Sequence, residues 1–268
     1  MSGKKKIGLA LGSGGARGLS HLGVLERLME WGVPIHCVAG TSIGSIIGAA
    51  FVSGKLREAT AWAQTLDWVA SAKLFVEVNL PLTGFLRGKR IEEQLRQFIT
   101  LETFEDSPLP FATVATNIAT GEEVVLKTGN LMEGVRASYT IPGVFTPVER
   151  DGCQLVDGGL VNPLPISVCR DLGADAVIAV DINLRKGPAG YRREKRSLKI
   201  YDIVTNAVSI LEREVSRGTL AAQAPDVCIL PKVADIFMLD FTVAETAIAE
   251  GRAAADEHRN EILALVSE

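Results

Sequence analysis

Residues 7–18 read Ile7-Gly8-Leu9-Ala10-Leu11-Gly12-Ser13-Gly14-Gly15-Ala16-Arg17-Gly18. A five-residue apolar run bounded by glycine has the length of a buried strand, and the glycine-rich turn ends it. Leu19, Leu22, Leu25 and Leu28 then recur at the spacing of one helix face. The pattern repeats at once. Pro34 to Ala39 reads as a second strand, Gly40-Thr41-Ser42-Ile43-Gly44 as the turn, and Ile43 to Val52 as an apolar helix. Strand, helix, strand, helix specifies an α/β fold with a parallel sheet and right-handed crossovers.

Outward from that core the signals continue. Leu56 to Ile99 is mainly helical. Phe111 to Ala119 and Glu122 to Lys127 flank Thr120-Gly121, and Val148 to Arg150 and Gln154 to Val156 flank Asp151-Gly152. Both pairs predict hairpins. Ala176 to Val180 and Val227 to Leu230 are short buried strands, and Tyr201 to Ala222 and Val243 to Val266 are long helices. Arg185 to Lys199 is the one break in composition, seven basic residues with two glycines and a proline, and it reads as an exposed loop within one domain.

The 268 residues carry a net charge of −4, with 47% hydrophobic and 22% charged residues. This balance excludes a disordered tail or a disulfide scaffold and offers no basic face for nucleic acid. Cys37, Cys153, Cys169 and Cys228 form no CxxC and read as buried thiols of a reducing compartment. No run of 18 apolar residues suggests a membrane span, so the expected location is cytoplasmic or peripheral on a membrane.

Three features can carry chemistry. The loop Gly12 to Gly18 turns backbone N–H groups toward a helix N-terminus, which suits negative charge. As a dinucleotide site it has Arg17 where a glycine belongs and no acid after the second strand; as a P-loop it lacks the lysine. What remains is an oxyanion hole or a plain tight turn. Gly40 to Gly44 is G-x-S-x-G between strand and helix, the setting in which such a serine is presented above a sheet. Asp157-Gly158-Gly159 puts an acid at a strand end, to serve either the site or its own turn. The three histidines do not complete a triad: His36 lies in a strand, His258 in a helical stripe, and His21 just behind the glycine loop. A carboxylate is left as the possible base.

These motifs, in this order, resemble those of the patatin-like phospholipases, and most closely the compact bacterial members related to the esterase domain of neuropathy target esterase. Arg136 to Pro147 and Asn162-Pro163-Leu164-Pro165 extend the resemblance, which covers residues 5 to 182. Ser13 stands where many relatives have glycine. The resemblance implies a three-layer α/β/α fold with a mainly parallel central sheet, one domain over 1–268 whose last helices complete it, and lipid acyl hydrolysis through an acyl-enzyme. It implies Ser42 as nucleophile and Asp157 as general base, with Gly14, Gly15 and Ile43 N–H as oxyanion donors. Gly12, Arg17, Gly18, Gly40, Gly44, Gly158 and Gly159 support the motifs. Arg17 faces solvent or fixes the loop, without a catalytic role. No cofactor or metal is expected, since no acidic cluster has the spacing of a calcium loop. The apolar stretch Trp68 to Arg90 serves as a lid or as core, and the basic loop 185–199 meets anionic headgroups or only solvent. The rival readings are an esterase or thioesterase for small soluble esters and a non-enzymatic lipid-binding module.

Overall fold

The computed structural model describes residues 5–74, 86–184 and 200–267. In chain order its strands are β1 (Ile7–Leu11), β2 (Ile35–Thr41), β3 (Phe111–Asn117), β4 (Glu123–Leu126), β5 (Val148–Arg150), β6 (Cys153–Asp157), β7 (Ala176–Val180) and β8 (Val227–Ile229). Its helices are α1 (Ser20–Glu30), α2 (Ile43–Val52), α3 (Leu56–Gln64), α4 (Trp68–Leu74), α5 (Lys89–Leu95), α6 (Leu131–Tyr139), α7 (Ile166–Asp171), α8 (Ile200–Ala222), α9 (Ala244–Glu257) and α10 (Arg259–Ser267).

The eight described strands form one sheet. β3, β2, β1, β7 and β8 run parallel, as the strand–helix repeat predicts. β4, β5 and β6 are antiparallel, and both predicted hairpins are present. Asp151 (φ 51) and Gly152 (φ 76) make the tight turn of the second, a backbone that Asp-Gly tolerates. The two faces of the sheet bury different residues because side chains alternate along a strand. Ile7, Leu9 and Leu11 of β1, with Ile178 and Val180 of β7, join one core cluster with α1, α2 and α9. Ala10, Ala39, Ala112 and Ala179 face the other way, where small side chains let α7 settle close through Val168 and Cys169. Helices thus cover both sides of a mostly parallel sheet.

One register matters more than the rest. β4 occupies one edge of β3. The other edge is shared. β2 pairs in parallel with residues 111–114 of β3, ending at Thr41↔Val114. β6 pairs antiparallel with residues 115–117, ending at Asp157↔Ala115. The two strands approach head-on and stop at consecutive residues of β3.

Two expectations are corrected here. Val243 to Val266 is not one helix: the backbone leaves helical geometry at His258 (φ −104, ψ 8), which separates α9 from α10. The glycine loop does not enter an α-helix directly either, since one 3₁₀ turn, Gly15–Leu19, precedes α1. The loop 185–199 and the central part of the expected lid, 75–85, lie outside the described residues. Among the described residues, no helix is long and apolar enough to cross a membrane, and no group of three or more histidine, cysteine or acidic side chains could hold a metal ion.

Candidate active site

The site grows from the turns at the carboxyl ends of β1 and β2, where ligands gather in open α/β sheets. Ser42 follows β2 directly and has φ 56 and ψ −122, a conformation that a residue with a side chain adopts only under constraint. The constraint is close packing on both sides. A Cβ on Gly40 would strike the backbone of Gly44 and Ser45, and one on Gly44 would strike the Leu11 and Gly12 carbonyls. α6 adds a further hold: the Ser42 N–H donates to Ser138 Oγ at 2.9 Å.

The head-on meeting of β2 and β6 delivers the acid. Ser42 Oγ donates to Asp157 Oδ2 at 2.5 Å, and Asp157 Oδ1 accepts the Gly159 N–H at 2.8 Å. One Asp157 oxygen thus serves its own turn and the other meets the serine. Asp157 is 1% exposed. Burial pushes its pKa up to about 6, against the opposing pull of the bonds from Ser42 and Gly159.

The glycine loop is oriented from behind. Gly12 N–H, Ser13 N–H and Ala16 N–H are taken by the carbonyls of Val180, Pro163 and Met238. Gly14 N–H and Gly15 N–H find no acceptor among the described residues. Three successive carbonyls accept side-chain donors: Gly12 from His21 Nε2 (2.8 Å), Ser13 from Asn183 Nδ2 (2.8 Å) and Gly14 from Arg17 Nε (3.1 Å). In a planar trans peptide the C=O and the next N–H point opposite ways. Asn183 and Arg17 therefore turn the N–H groups of Gly14 and Gly15 away from themselves. Positive φ at both glycines (146 and 61) is the backbone this needs. Gly18 lets the loop lie against α2, since a Cβ there would strike the Ile43 side chain.

Arg17 fixes the loop rather than facing solvent. It is 9% exposed and also donates to Ser209 Oγ on α8 at 3.1 Å. His21 is buried with its pKa lowered to about 4 by desolvation, so it is neutral and carries its proton on Nε2 toward Gly12. His258 bonds Glu261 at 3.0 Å, and His36 sits at the opening end of β2, away from the Ser42 turn.

Ser42 lies at the wall of an apolar cavity of about 750 Å³ of empty space, partly open to solvent. Ile43, Ile46 and Ile47 of α2, Trp62 of α3, Leu95 of α5 and Phe145 form much of its lining. Among the described residues the lining thus comes mainly from α2 and from α3 and α5, which flank the stretch expected to be lid or core. Trp68 at the start of that stretch is 75% exposed.

Sequence reasoning missed Ser138, Asn183 and a buried carboxyl, Glu212 of α8. Ser138 lies inside the Arg136 to Pro147 segment but was given no role there, Asn183 and Glu212 sit in no local motif, and each reaches the site across a long separation in the chain.

The patatin-like phospholipase family model matches residues 9–170. An uncharacterized NTE family protein of Mycobacterium tuberculosis is 38% identical over 189 residues, 70% of this chain and 52% of its own length. Patatin-like phospholipase domain-containing protein 6 of Homo sapiens is 39% identical over 183 residues, 66% of this chain and 13% of its own. The chain thus spans about half the length, or much less, of these relatives. The crystal structure of VipD from Legionella pneumophila superposes with a TM-score of 0.56 at 15% identity, covering 97% of this chain and 67% of that one, which is a likeness of fold.

Proposed function

This chain belongs to the patatin-like phospholipase family, and on that premise we propose that it is a serine acyl hydrolase of lipid esters working through a Ser42–Asp157 dyad. The observation that carries the reading is the 2.5 Å bond from Ser42 Oγ to a buried Asp157 carboxyl beside an apolar cavity. A free aspartate is a weak base for a hydroxyl, with a pKa of about 3.9. Desolvation raises its basicity toward the working range.

In the first half-reaction Asp157 Oδ2 takes the Ser42 proton as Oγ attacks the ester carbonyl. The new oxyanion is met by the N–H groups of Gly14 and Gly15, with Ile43 N–H as third donor. Collapse breaks the ester C–O bond, and the leaving alcohol departs with the proton held by Asp157. Asp157 then draws a proton from the water that attacks the acyl-enzyme, and as the acyl C–O bond breaks it returns that proton to Ser42 Oγ, freeing the fatty acid. Every step runs on side chains, backbone N–H groups and water. The apolar cavity supports an acyl chain as the group bound, and the substrate surface is a lipid aggregate met peripherally.

Mass spectrometry of fluorophosphonate-treated protein tests the reading, with phospholipid, lysophospholipid and short-ester panels beside it. The expected result is one adduct, on the Ser42 peptide, and turnover of lipid. Turnover of short soluble esters alone moves the assignment to a carboxylesterase or thioesterase. A folded protein that does not label at Ser42 is a lipid-binding module instead.

A further inference from the structure

A second carboxyl stands behind Asp157, and the dyad does not use it. Glu212 of α8 is 1% exposed, and its Oε2 has no hydrogen-bond partner among the described residues. A Cβ placed on Gly159 would touch both Asp157 Oδ1 (at 3.1 Å) and Glu212 Oε1, so the two carboxyls converge on one Cα. The charged and polar groups around Glu212 come from four elements. They are Asp157 at the end of β6, Arg17 and Ser13 of the glycine loop, and Asp181 just after β7. On α8 itself Ser209 bonds Arg17, and buried Ser216 lies one turn beyond Glu212.

Glu212 thus stands among two further buried carboxyls, Asp157 and Asp181, and the buried guanidinium of Arg17, which acts on Glu212 and on Asp181. Were all three ionised, Arg17 would offset one charge and, among the described residues, two negative charges would stand uncompensated beside the place where the oxyanion must form. Resting on the hydrolase reading above, we propose that Glu212 is a positioning residue that works as the neutral acid. Uncharged, it fills the space behind Asp157 and leaves the pair a single negative charge. Ionised, it opposes the oxyanion through the Ser13–Gly14 segment and competes for Arg17, which holds the Gly14 carbonyl. Desolvation and the Asp157 charge push the Glu212 pKa up to about 8, so the neutral form prevails near neutral pH. A buried carboxyl with an unsatisfied oxygen costs stability in its charged form, and such costs collect at functional sites.

The test is the rate of fluorophosphonate labelling of Ser42 against pH, in the whole chain. The parent rate is expected to rise as Asp157 ionises and to fall again above about 8, dropping about tenfold between pH 7 and pH 9. Glu212→Gln keeps the shape and cannot ionise, so its alkaline fall is expected to vanish, raising the pH 9 to pH 7 rate ratio about tenfold. Ser13→Ala, which removes the hydroxyl that steadies the Glu212 anion, is expected to move the fall to higher pH, and it serves should Glu212→Gln not fold. A parent without an alkaline fall, or one whose fall stays put in either folded variant, overturns the inference and leaves the Ser42–Asp157 reading intact. A parent that never labels overturns the hydrolase reading and this inference with it.

Discussion

At the scale of single residues, the role proposed for Asp157 as a base rests on where it is buried. Its base form is absent below a pKa of about 6, so acyl-enzyme formation should decline as pH falls through that value. A pH profile of kcat/KM without an acid limb between pH 5 and 7 would contradict this. Ser42→Ala and Asp157→Asn should each lower kcat by ~10³-fold or more, as for other serine enzymes stripped of a reacting group. Burial also has a stability signature. The folded pKa of Asp157 lies above its ordinary value, so the stability it contributes is full below about pH 4 and is lost as pH rises through about 6. Asp157→Asn should therefore be more stable than the parent at pH 8, by on the order of 1 kcal/mol or more, and by much less at pH 4, as read from melting curves. Equal melting curves at pH 8 would refute the desolvated base. The serine was picked out by its flanking glycines, whereas the strand-end setting of Asp157 fitted a turn equally well and its role came only from the family resemblance. The basicity of Asp157 was not legible in the sequence, because desolvation depends on what covers a residue and leaves no mark on its neighbours in the chain.

At the scale of elements, the site depends on hydrogen-bond partners that arrive from outside the turn or loop they hold. Ser138 on α6 receives the N–H of a strained residue. Ser138→Ala leaves that buried donor unpaired, which should cost about 1–3 kcal/mol. Fluorophosphonate labelling should slow alongside, and a melting temperature and labelling rate equal to the parent's would remove α6 from the account. Asn183 holds the Ser13 carbonyl at 2.8 Å and thereby aims Gly14 N–H. Asn183→Ala should lower kcat by about 10- to 100-fold with little change in KM, since an oxyanion donor acts on the transition state. A rise in KM alone would show that Asn183 shapes binding instead. The sequence suggested the loop, yet left its oxyanion use and a plain tight turn side by side. It could not separate them because the carbonyl anchor Asn183 lies 170 residues from Ser13.

At the scale of the whole molecule, the cavity links the reacting serine to what it can accept. Ile46 and Ile47 line it from the same helix that begins at the elbow, so the α2 sequence governs both the turn and the depth of the slot. Ile46→Phe should fill part of the space. Hydrolysis of long-chain esters should then fall about tenfold or more relative to short-chain esters, given that one methylene in an apolar pocket is worth about 1–3 kcal/mol. An unchanged chain-length profile would place the acyl chain elsewhere. Of the described lining, Ile43, Ile46 and Ile47 belong to the expected helix Ile43 to Val52, and Trp62 and Leu95 to the helical stretch Leu56 to Ile99, while Trp68 to Arg90 was read as lid or core. Periodicity shows which residues are apolar and helical. It does not show which helix faces a cavity and which faces core.

The amino-acid order by itself determined the two strand–turn–helix units and the two hairpins, because apolar spacing and turn glycines act over a few residues and leave a local pattern. It also offered Gly40 and Gly44 around the serine, and the folded structure shows why, since neither admits a side chain where backbones touch. The tertiary structure decided the rest. Ser42 and Asp157 meet because β2 and β6 end at adjacent residues of one edge of β3, a register between strands more than a hundred residues apart. Asn183, Ser138 and Glu212 join them through single long-range contacts, and a contact of that kind has no period, spacing or composition by which a chain could announce it.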